Sequence, residues 1–180
     1  SLLNPQLAEM IATAKGKGLS VSLSTNVSFL SKRKAEELAA SGLDMIILSM
    51  DSEKSETYEK IRLGNDFSDI YEKVKTFLQI NDRRIFTVIQ KIHMSENRFS
   101  TWSYIKEMNS LGADLVRLKP YRDLDRRKNH LRVKNTDAQK TSSMRCPYLW
   151  KVAVYNWEGQ MVPCCVDYDS NIKIGSAFES

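Results

Sequence analysis

The sequence has no glycine-rich phosphate loop of the G-x-G-x-x-G or G-x-x-x-x-G-K kind, which argues against classical dinucleotide or nucleoside triphosphate binding. It has no apolar run near the roughly 18 residues that a membrane-spanning helix needs, and no signal-peptide pattern opens it. Its only histidines, His93 and His130, stand in no nucleophile-elbow or zincin motif, which disfavours hydrolase chemistry. We therefore expect a soluble, cytoplasmic chain without a membrane partner.

Cysteine is also scarce: Cys146, Cys164 and Cys165 all lie in the last fifth of the 180 residues. An odd number in one cluster argues against a secreted disulfide framework and favours metal or redox use. Cys146 and Cys164 flank a predicted β-hairpin, which would bring them together as buried thiols, as a disulfide or as metal ligands. Two thiolates are half of a four-thiolate site for zinc or an iron–sulfur cluster. Cys165 points to the other face of the predicted strand, so we expect it to be separate from that site.

Apolar periodicity predicts an α/β fold with parallel strands. Helices alternate with strands predicted at residues 19–25, 44–50, 85–94 and 114–119. This order indicates βαβ units with right-handed crossovers, in a sheet that is open or part of a barrel. On the helix before the fourth strand, Trp102, Ile105 and Met108 are predicted to face inward.

A polar, basic segment divides the chain. We predict an α/β unit at 1–122, a linker at 123–145 and a second unit at 146–180, with hairpin strands at 151–156 and 160–165. The basic residues between positions 117 and 134 indicate either a solvated linker or, less favoured, a nucleic-acid footprint; they are Arg117, Lys119, Arg122, Arg126, Arg127, Lys128, Arg132 and Lys134.

Polar residues gather where the predicted parallel strands end, which is where ligands bind in such folds. Asn26 follows the first strand, while Ser49 and Asp51 at the second point to the same side. A hydroxyl beside a carboxylate suits the vicinal hydroxyls of a ribose; alternatively, Asp51 caps the next helix. Arg62, eleven residues after Asp51, either clamps a carboxylate or is a favourable cation at a helix C-terminus. His93, near the end of the third strand, is a weaker candidate for a functional role.

These motifs together resemble the radical S-adenosylmethionine enzymes with a SPASM or twitch extension. LLNPQLAEMI is similar to the segment after their GGEP motif, and LSTNVSFLS is similar to their TNG strand end, with Val27 where glycine is usual. LDMIILSMDS with Tyr58 and Arg62 of YEKIR is similar to their ribose-binding stretch. The C-x12-G-x4-C cassette that joins Cys146, Gly159 and Cys164 resembles the start of their auxiliary-cluster domain, and its spacing is the most specific of these signals.

The resemblance implies a partial TIM-type (β/α) barrel followed by a small hairpin-containing cysteine domain. It implies that Ser49 and Asp51 contact the ribose of S-adenosyl-L-methionine, that Arg62 meets its methionine carboxylate and that Asn26 lies near the cofactor. It also implies that the pair Cys146 and Cys164 binds an auxiliary 4Fe–4S cluster.

The resemblance further implies an enzyme that cleaves S-adenosyl-L-methionine to a 5′-deoxyadenosyl radical and abstracts hydrogen from a peptide, protein or small-molecule substrate, using an external electron donor. However, the C-x3-C-x2-C motif of the catalytic cluster, the GGEP motif and the later auxiliary cysteines are missing from these 180 residues. We therefore expect a fragment, cut at both ends and inactive alone. The alternatives are a non-catalytic zinc or iron–sulfur binding module and, less favoured, a nucleic-acid-binding α/β domain.

Overall fold

A computed structural model describes residues 2–121, 148–167 and 169–179. The chain divides into two compact units, Ser1–Lys134 and Asn135–Ser180. The predicted linker at 123–145 lies outside the described residues. Among the described residues, no helix is both long and apolar enough to cross a bilayer.

In the first unit, helices and parallel strands alternate as the sequence predicts. The elements in chain order are α1 (Leu7–Gly16), β1 (Ser22–Thr25), α2 (Lys32–Ala40), β2 (Met45–Ser49), α3 (Ser55–Ile61), α4 (Phe67–Asn81), β3 (Phe86–His93), a 3₁₀ helix (Ser95–Ser100), α5 (Thr101–Ser110) and β4 (Leu115–Pro120).

The strand order β1-β2-β3-β4 is the order along the chain, and every neighbouring pair is parallel. Because βαβ crossovers are right-handed, a sheet that never reverses its order carries all its helices on one face. The hydrophobic core lies on that face, where Ile46, Leu48 and Ile89 pack with side chains of α2, α4 and α5. The arrangement is an arc of a (β/α) barrel, and it confirms the predicted α/β fold class.

Among the described residues of the first unit, no helix of the core cluster packs on the opposite face of the sheet, and we call it the open face. Phe86 and Leu115 are 49% and 45% exposed there, while Arg117 and Lys119 are exposed as well. Parallel sheets are normally covered on both faces, so an open face with polar side chains is typical of the inner wall of a barrel.

Side-chain caps fix where two of the helices begin. The hydroxyl of Ser31 accepts a hydrogen bond from the Lys34 amide at 3.3 Å before α2, and the Asp66 carboxylate accepts one from the Asp69 amide at 2.9 Å before α4. Each cap satisfies one of the amide donors that the first helical turn leaves without a partner.

The prediction that Trp102 faces inward was wrong, because Trp102 is 84% exposed. Tyr104 and Met108 are fully buried, and they form an i, i+4 pair on the core side of α5. Trp102 precedes Tyr104 by two residues, which places it on the other side of the helix.

In the second unit, a short helix α6 (Tyr148–Lys151) precedes a small antiparallel sheet of β5 (Val154–Tyr155), β6 (Gln160–Val162) and β7 (Gly175–Ser176). The predicted hairpin is present, but β6 ends at Val162, before the cysteines. Val162 is the one hydrophobic residue of this unit that is buried among the described residues.

Candidate functional site

A row of polar side chains crosses the open face near the carboxyl ends of the strands. Ser49 on β2 is in register with Gln90 on β3, and Gln90 is in register with Arg117 on β4. Asn26 directly follows β1 and is exposed. Thus Ser49 and Asn26 lie at the edge of the sheet where βα loops gather and ligands bind.

Gln90 holds the guanidinium of Arg117. Its side-chain oxygen accepts hydrogen bonds from Nε and Nη2 of Arg117, at 3.1 and 2.8 Å. Gln90 is 9% exposed, whereas Arg117 is exposed. A buried neutral amide therefore orients a cation whose charge it does not cancel. Sequence reasoning placed Arg117 in the basic segment and missed this role, although its i, i+2 spacing with Lys119 on a strand was a usable signal.

Asp51 and Arg62 contact each other. The guanidinium places Nε and Nη2 on Oδ2 of Asp51, both at 2.7 Å, and the amide of Ile92 donates to Oδ1 at 2.7 Å. Asp51 is 1% exposed, so the pair is desolvated on the carboxylate side. Both carboxylate oxygens of Asp51 are therefore hydrogen-bonded within the fold.

The sequence left two roles open for each of Asp51 and Arg62, a structural role at the end of a helix and a ligand-binding role. Asp51 does not cap α3, because Lys54 is its N-cap residue and makes no side-chain cap; Ser52 accepts a hydrogen bond from the Lys54 amide at 3.0 Å instead. Arg62 is the C-cap residue of α3. It therefore sits at a helix C-terminus, as one alternative had it, and binds a carboxylate, but that carboxylate is its own neighbour in the fold.

The loop after β1 holds Val27 in an unusual backbone conformation. Val27 has a φ of 71° and is completely buried, and its amide donates to the Thr25 hydroxyl at 3.1 Å. Left-handed backbone costs a β-branched residue energy that glycine does not pay. The position where the resemblance expects glycine therefore keeps a glycine-like backbone with a valine side chain.

Lys91 is a buried cation that sequence reasoning missed, because it stands within an apolar strand. It is 0% exposed on the helix-covered face, where Nζ donates to Ser100 Oγ at 3.0 Å and lies 4.7 Å from the centre of the Tyr104 ring. Burial lowers the pKa of Lys91, and the nearby Glu53 and Asp51 carboxylates oppose that effect.

His93, at the end of β3, is half-buried. Burial, and to a lesser extent the charge of Lys91, lower the pKa of His93, which favours the neutral imidazole at pH 7. None of the hydrogen bonds or ion pairs among the described residues joins His93 to Asp51 or Arg62.

In the second unit, Cys164 is half-buried and Cys165 is exposed, and both are free thiols. Both follow the end of β6, so the strand alternation expected to separate them does not apply. Cys146, their expected partner, lies outside the described residues. Among the described residues, no three His, Cys, Asp or Glu side chains form a metal-binding group.

Two features fix the backbone around Cys164. The amide of Asp167 donates to the Cys164 carbonyl at 3.2 Å, while the Asp167 carboxylate accepts from the amides of Asn171 and Ile172, each at 3.0 Å. These amide hydrogen bonds lower the pKa of Asp167. The Asp167 side chain therefore closes the turn from Asp167 to Ile172, which directly follows the two cysteines.

Steric crowding explains why the C-x12-G-x4-C cassette has a glycine at position 159. Gly159 has a φ of 77° in the hairpin turn, and a Cβ there would lie 2.3 Å from the Phe178 ring. A side chain at this position would displace the ring, which packs directly on the glycine.

No family profile matches this chain. The uncharacterized protein MJ0804 of Methanocaldococcus jannaschii is 28% identical over 107 residues, which cover 59% of this chain and 36% of that protein. The chain therefore spans well under two thirds of this relative.

The chain shares its fold with SuiB of Streptococcus suis. One crystal structure of SuiB superposes with a TM-score of 0.67 at 12% identity, covering 96% of this chain and 50% of SuiB. A structure of SuiB bound to S-adenosylmethionine gives 0.55 at 13% identity over 67% of this chain and 27% of SuiB. A structure bound to the precursor peptide SuiA gives 0.56 at 14% identity over 71% and 28%. The chain thus spans half of SuiB or less.

Proposed function

We propose that this chain is part of a radical S-adenosylmethionine enzyme with an auxiliary iron–sulfur domain. The observation that carries the proposal is the open face of a barrel arc that ends in Ser49 and Asn26. The likeness to SuiB, which has been crystallised with S-adenosylmethionine, supports it at the level of the fold. The C-x12-G-x4-C spacing in the second unit supports the auxiliary domain.

The residues at the strand ends have the chemistry that the cofactor needs. Ser49 is half-buried on the open face, where its hydroxyl can exchange hydrogen bonds with a ribose hydroxyl, and Asn26 is exposed at the next strand end. Asp51 and Arg62 brace the loop after β2 by binding each other, and they shape the site on which Ser49 lies. When bound, S-adenosylmethionine supplies the 5′-deoxyadenosyl radical that removes a hydrogen atom from the substrate.

The catalytic cluster and its reductant come from outside these 180 residues on this proposal, since the sequence has no C-x3-C-x2-C motif. The chain alone would not cleave the cofactor. Cys146 and Cys164 would contribute two ligands to an auxiliary 4Fe–4S cluster, and a half-buried thiol at Cys164 suits a thiolate ligand.

A peptide is the substrate that we propose first, with a small molecule as the alternative. The structure of SuiB with a precursor peptide supports a peptidyl substrate. A cytoplasmic location and an external electron donor belong to the same proposal.

Binding of S-adenosylmethionine to the full-length protein, measured by calorimetry, tests the cofactor assignment. We expect Ser49→Ala to weaken binding by roughly 5- to 10-fold, the effect of one hydrogen bond. Ser22→Ala is the matched control, because Ser22 lies at the opposite end of β1; its affinity should be unchanged. A wild-type protein that does not bind the cofactor would refute the proposal.

Anaerobic reconstitution of the full-length protein tests the auxiliary domain. We expect Cys164→Ala to lose iron and sulfide and to lose absorbance of the auxiliary cluster, whereas Cys165→Ala keeps both. Tight, colourless zinc binding by the wild-type protein would instead favour the non-catalytic metal module.

A further inference from the structure

We propose that Tyr104 is a positioning residue for the candidate site: through the carbonyl of Met50, it fixes the end of β2 and with it the hydroxyl of Ser49. The inference rests on the proposed function, which assigns Ser49 to the ligand, and it adds a residue on the covered side of the sheet that does not touch the ligand. The backbone hydrogen bonds at the end of β2 support this role.

The hydrogen-bond ladder between β2 and β3 ends at Met50. The Met50 amide still donates to the Gln90 carbonyl on β3, at 2.9 Å. In a continued parallel ladder, the Ile92 amide would donate to the Met50 carbonyl. The Ile92 amide instead donates to the Asp51 carboxylate, at 2.7 Å. The carbonyl of Met50, a completely buried residue, therefore needs a donor from outside the sheet.

Tyr104 supplies that donor from α5. Its hydroxyl donates to the Met50 carbonyl at 2.6 Å. Burial raises the pKa of Tyr104, so the hydroxyl keeps its proton and remains a donor. The ring is completely buried in the core, and Nζ of Lys91 lies 4.7 Å from its centre. The packed ring therefore holds the hydroxyl at a fixed place relative to the sheet.

Two side chains near Tyr104 contact the same stretch of backbone. Asn97 donates its side-chain amide to the Asp51 carbonyl at 2.8 Å, and the Ser103 hydroxyl donates to the Glu53 carboxylate at 2.6 Å. With the tyrosine, the segment that follows β3 thus contacts three of the residues 50–53. The loop after β2 is held from the α5 side as well as from α3.

This contact links the buried side of the sheet to the open face. Ser49 is the last residue of β2 and directly precedes Met50, and successive side chains of a strand point to opposite faces. Without the Tyr104 hydroxyl, the Met50 carbonyl would be buried and unpaired, so the strand end should shift to find another donor. Such a shift would move the Ser49 hydroxyl away from its place on the open face.

A double-mutant cycle tests the inference. Tyr104→Phe keeps the ring and removes the hydroxyl alone, and calorimetry measures the affinity of the full-length protein for S-adenosylmethionine. We expect Tyr104→Phe to weaken binding by roughly 3- to 10-fold, the effect of one hydrogen bond. In the Ser49→Ala background, the same substitution should cause no further loss beyond about 2-fold, because Tyr104 acts through Ser49.

Tyr71→Phe is the matched control, because the Tyr71 hydroxyl donates to Glu107 on α5 and to no residue of the loop after β2. It should bind S-adenosylmethionine with wild-type affinity. Hydrogen exchange followed by mass spectrometry adds a readout that needs no ligand. The amides of residues 49–54 should exchange faster in Tyr104→Phe than in the wild-type protein or in Tyr71→Phe.

Three results would overturn the inference and leave the proposed function intact: wild-type affinity in Tyr104→Phe, losses that simply multiply in the double variant, or unchanged exchange of residues 49–54. A wild-type protein that does not bind S-adenosylmethionine would refute the proposed function and, with it, the ligand role of Tyr104. Faster exchange in Tyr104→Phe would even then establish its hold on the strand end. Circular dichroism of each variant confirms that the fold is retained.

Discussion

Arg62 places two guanidinium nitrogens on a single carboxylate oxygen of Asp51, which is almost completely buried. The second oxygen of Asp51 accepts the amide of Ile92 on the next strand, and the side chain of Asn97 donates to the Asp51 carbonyl at 2.8 Å. One carboxylate therefore ties the end of α3, the loop after β2 and the end of β3 together.

Removal of the Arg62 side chain should be costly for that reason. Arg62→Ala leaves a buried carboxylate without its cation, and we expect the free energy of unfolding to fall by about 3–5 kcal/mol. Arg33→Ala is the control: Arg33 pairs with Glu37 at 2.8 Å on the surface of α2. That exposed pair should contribute only about 0.5 kcal/mol or less. Urea denaturation of both variants measures the difference, and equal effects would contradict the importance of the buried pair.

At position 27, we expect the glycine variant to be at least as stable as the alanine variant, which reverses the usual order of stability. At ordinary positions glycine is less stable than alanine by roughly 0.5–1 kcal/mol, but left-handed backbone costs a residue with a Cβ about 1–2 kcal/mol. With a φ of 71° at Val27, we expect Val27→Gly to be at least as stable as Val27→Ala. Val74 is the control, since it is equally buried within α4. There Val74→Gly should be the less stable variant by about 1 kcal/mol. Thermal unfolding of the four variants decides the matter, and the same order at both sites would contradict strain at Val27.

Lys91 should make stability rise with pH in the alkaline range. Burial lowers its pKa in the folded protein below the ordinary value of 10.5. At a pH between the folded-state pKa and 10.5, the unfolded chain therefore binds more protons than the folded one. The free energy of unfolding therefore increases as pH rises through that window, and it stops increasing above 10.5.

Lys91→Met isolates this contribution, because it keeps the length of the side chain and removes the charge. Tyrosines also titrate in this range; for example, the hydrogen bond to Glu107 raises the pKa of Tyr71 to about 12. They are common to both proteins, so the wild-type minus variant difference in stability reports Lys91. A difference that is flat from neutral pH to 10.5 would show that Lys91 titrates normally.

Asp167 should control how accessible Cys164 is. Asp167→Ala removes both acceptors for the amides of Asn171 and Ile172, so the turn that follows the cysteines should open. We expect the half-buried thiol of Cys164 to react faster with iodoacetamide in the metal-free protein as a result. Asp169→Ala is the control, because Asp169 is an exposed carboxylate in the same loop. Alkylation rates of Cys164 and Cys165, resolved by mass spectrometry, measure the effect. An unchanged rate at Cys164 would mean that the carboxylate does not hold the loop.

The parallel sheet could be predicted because the pattern that indicates each strand, a run of apolar residues, lies within a short stretch of sequence. Ile46 and Leu48 belong to a continuous apolar run, and the alternation of such runs with helices predicted parallel strands, which the structure confirms. The observed cap at Ser31 agrees with the general preference of serine for that position. The polar residues at the ends of the strands could also be located from the sequence, because they directly follow the apolar runs.

The contacts within the candidate site were not predictable. Whether Arg62 binds a ligand or Asp51 depends on how α3 folds back over the strand, and no periodicity records that. Lys91 looks like an interruption of an apolar strand until Ser100 and Tyr104 are seen to surround it. The role of Arg117 depends on the register of β3 and β4, which residue spacing within one strand cannot give.

We propose that this chain lines the cofactor site of an enzyme that cleaves S-adenosylmethionine reductively. The most direct measurement is chromatography of the products after the anaerobically reconstituted, full-length protein is incubated with S-adenosylmethionine and dithionite. We expect equal amounts of 5′-deoxyadenosine and methionine, with the yield reduced in Ser49→Ala and unchanged in Ser22→Ala. Intact S-adenosylmethionine after incubation with a protein that holds its full complement of iron and sulfide would contradict it.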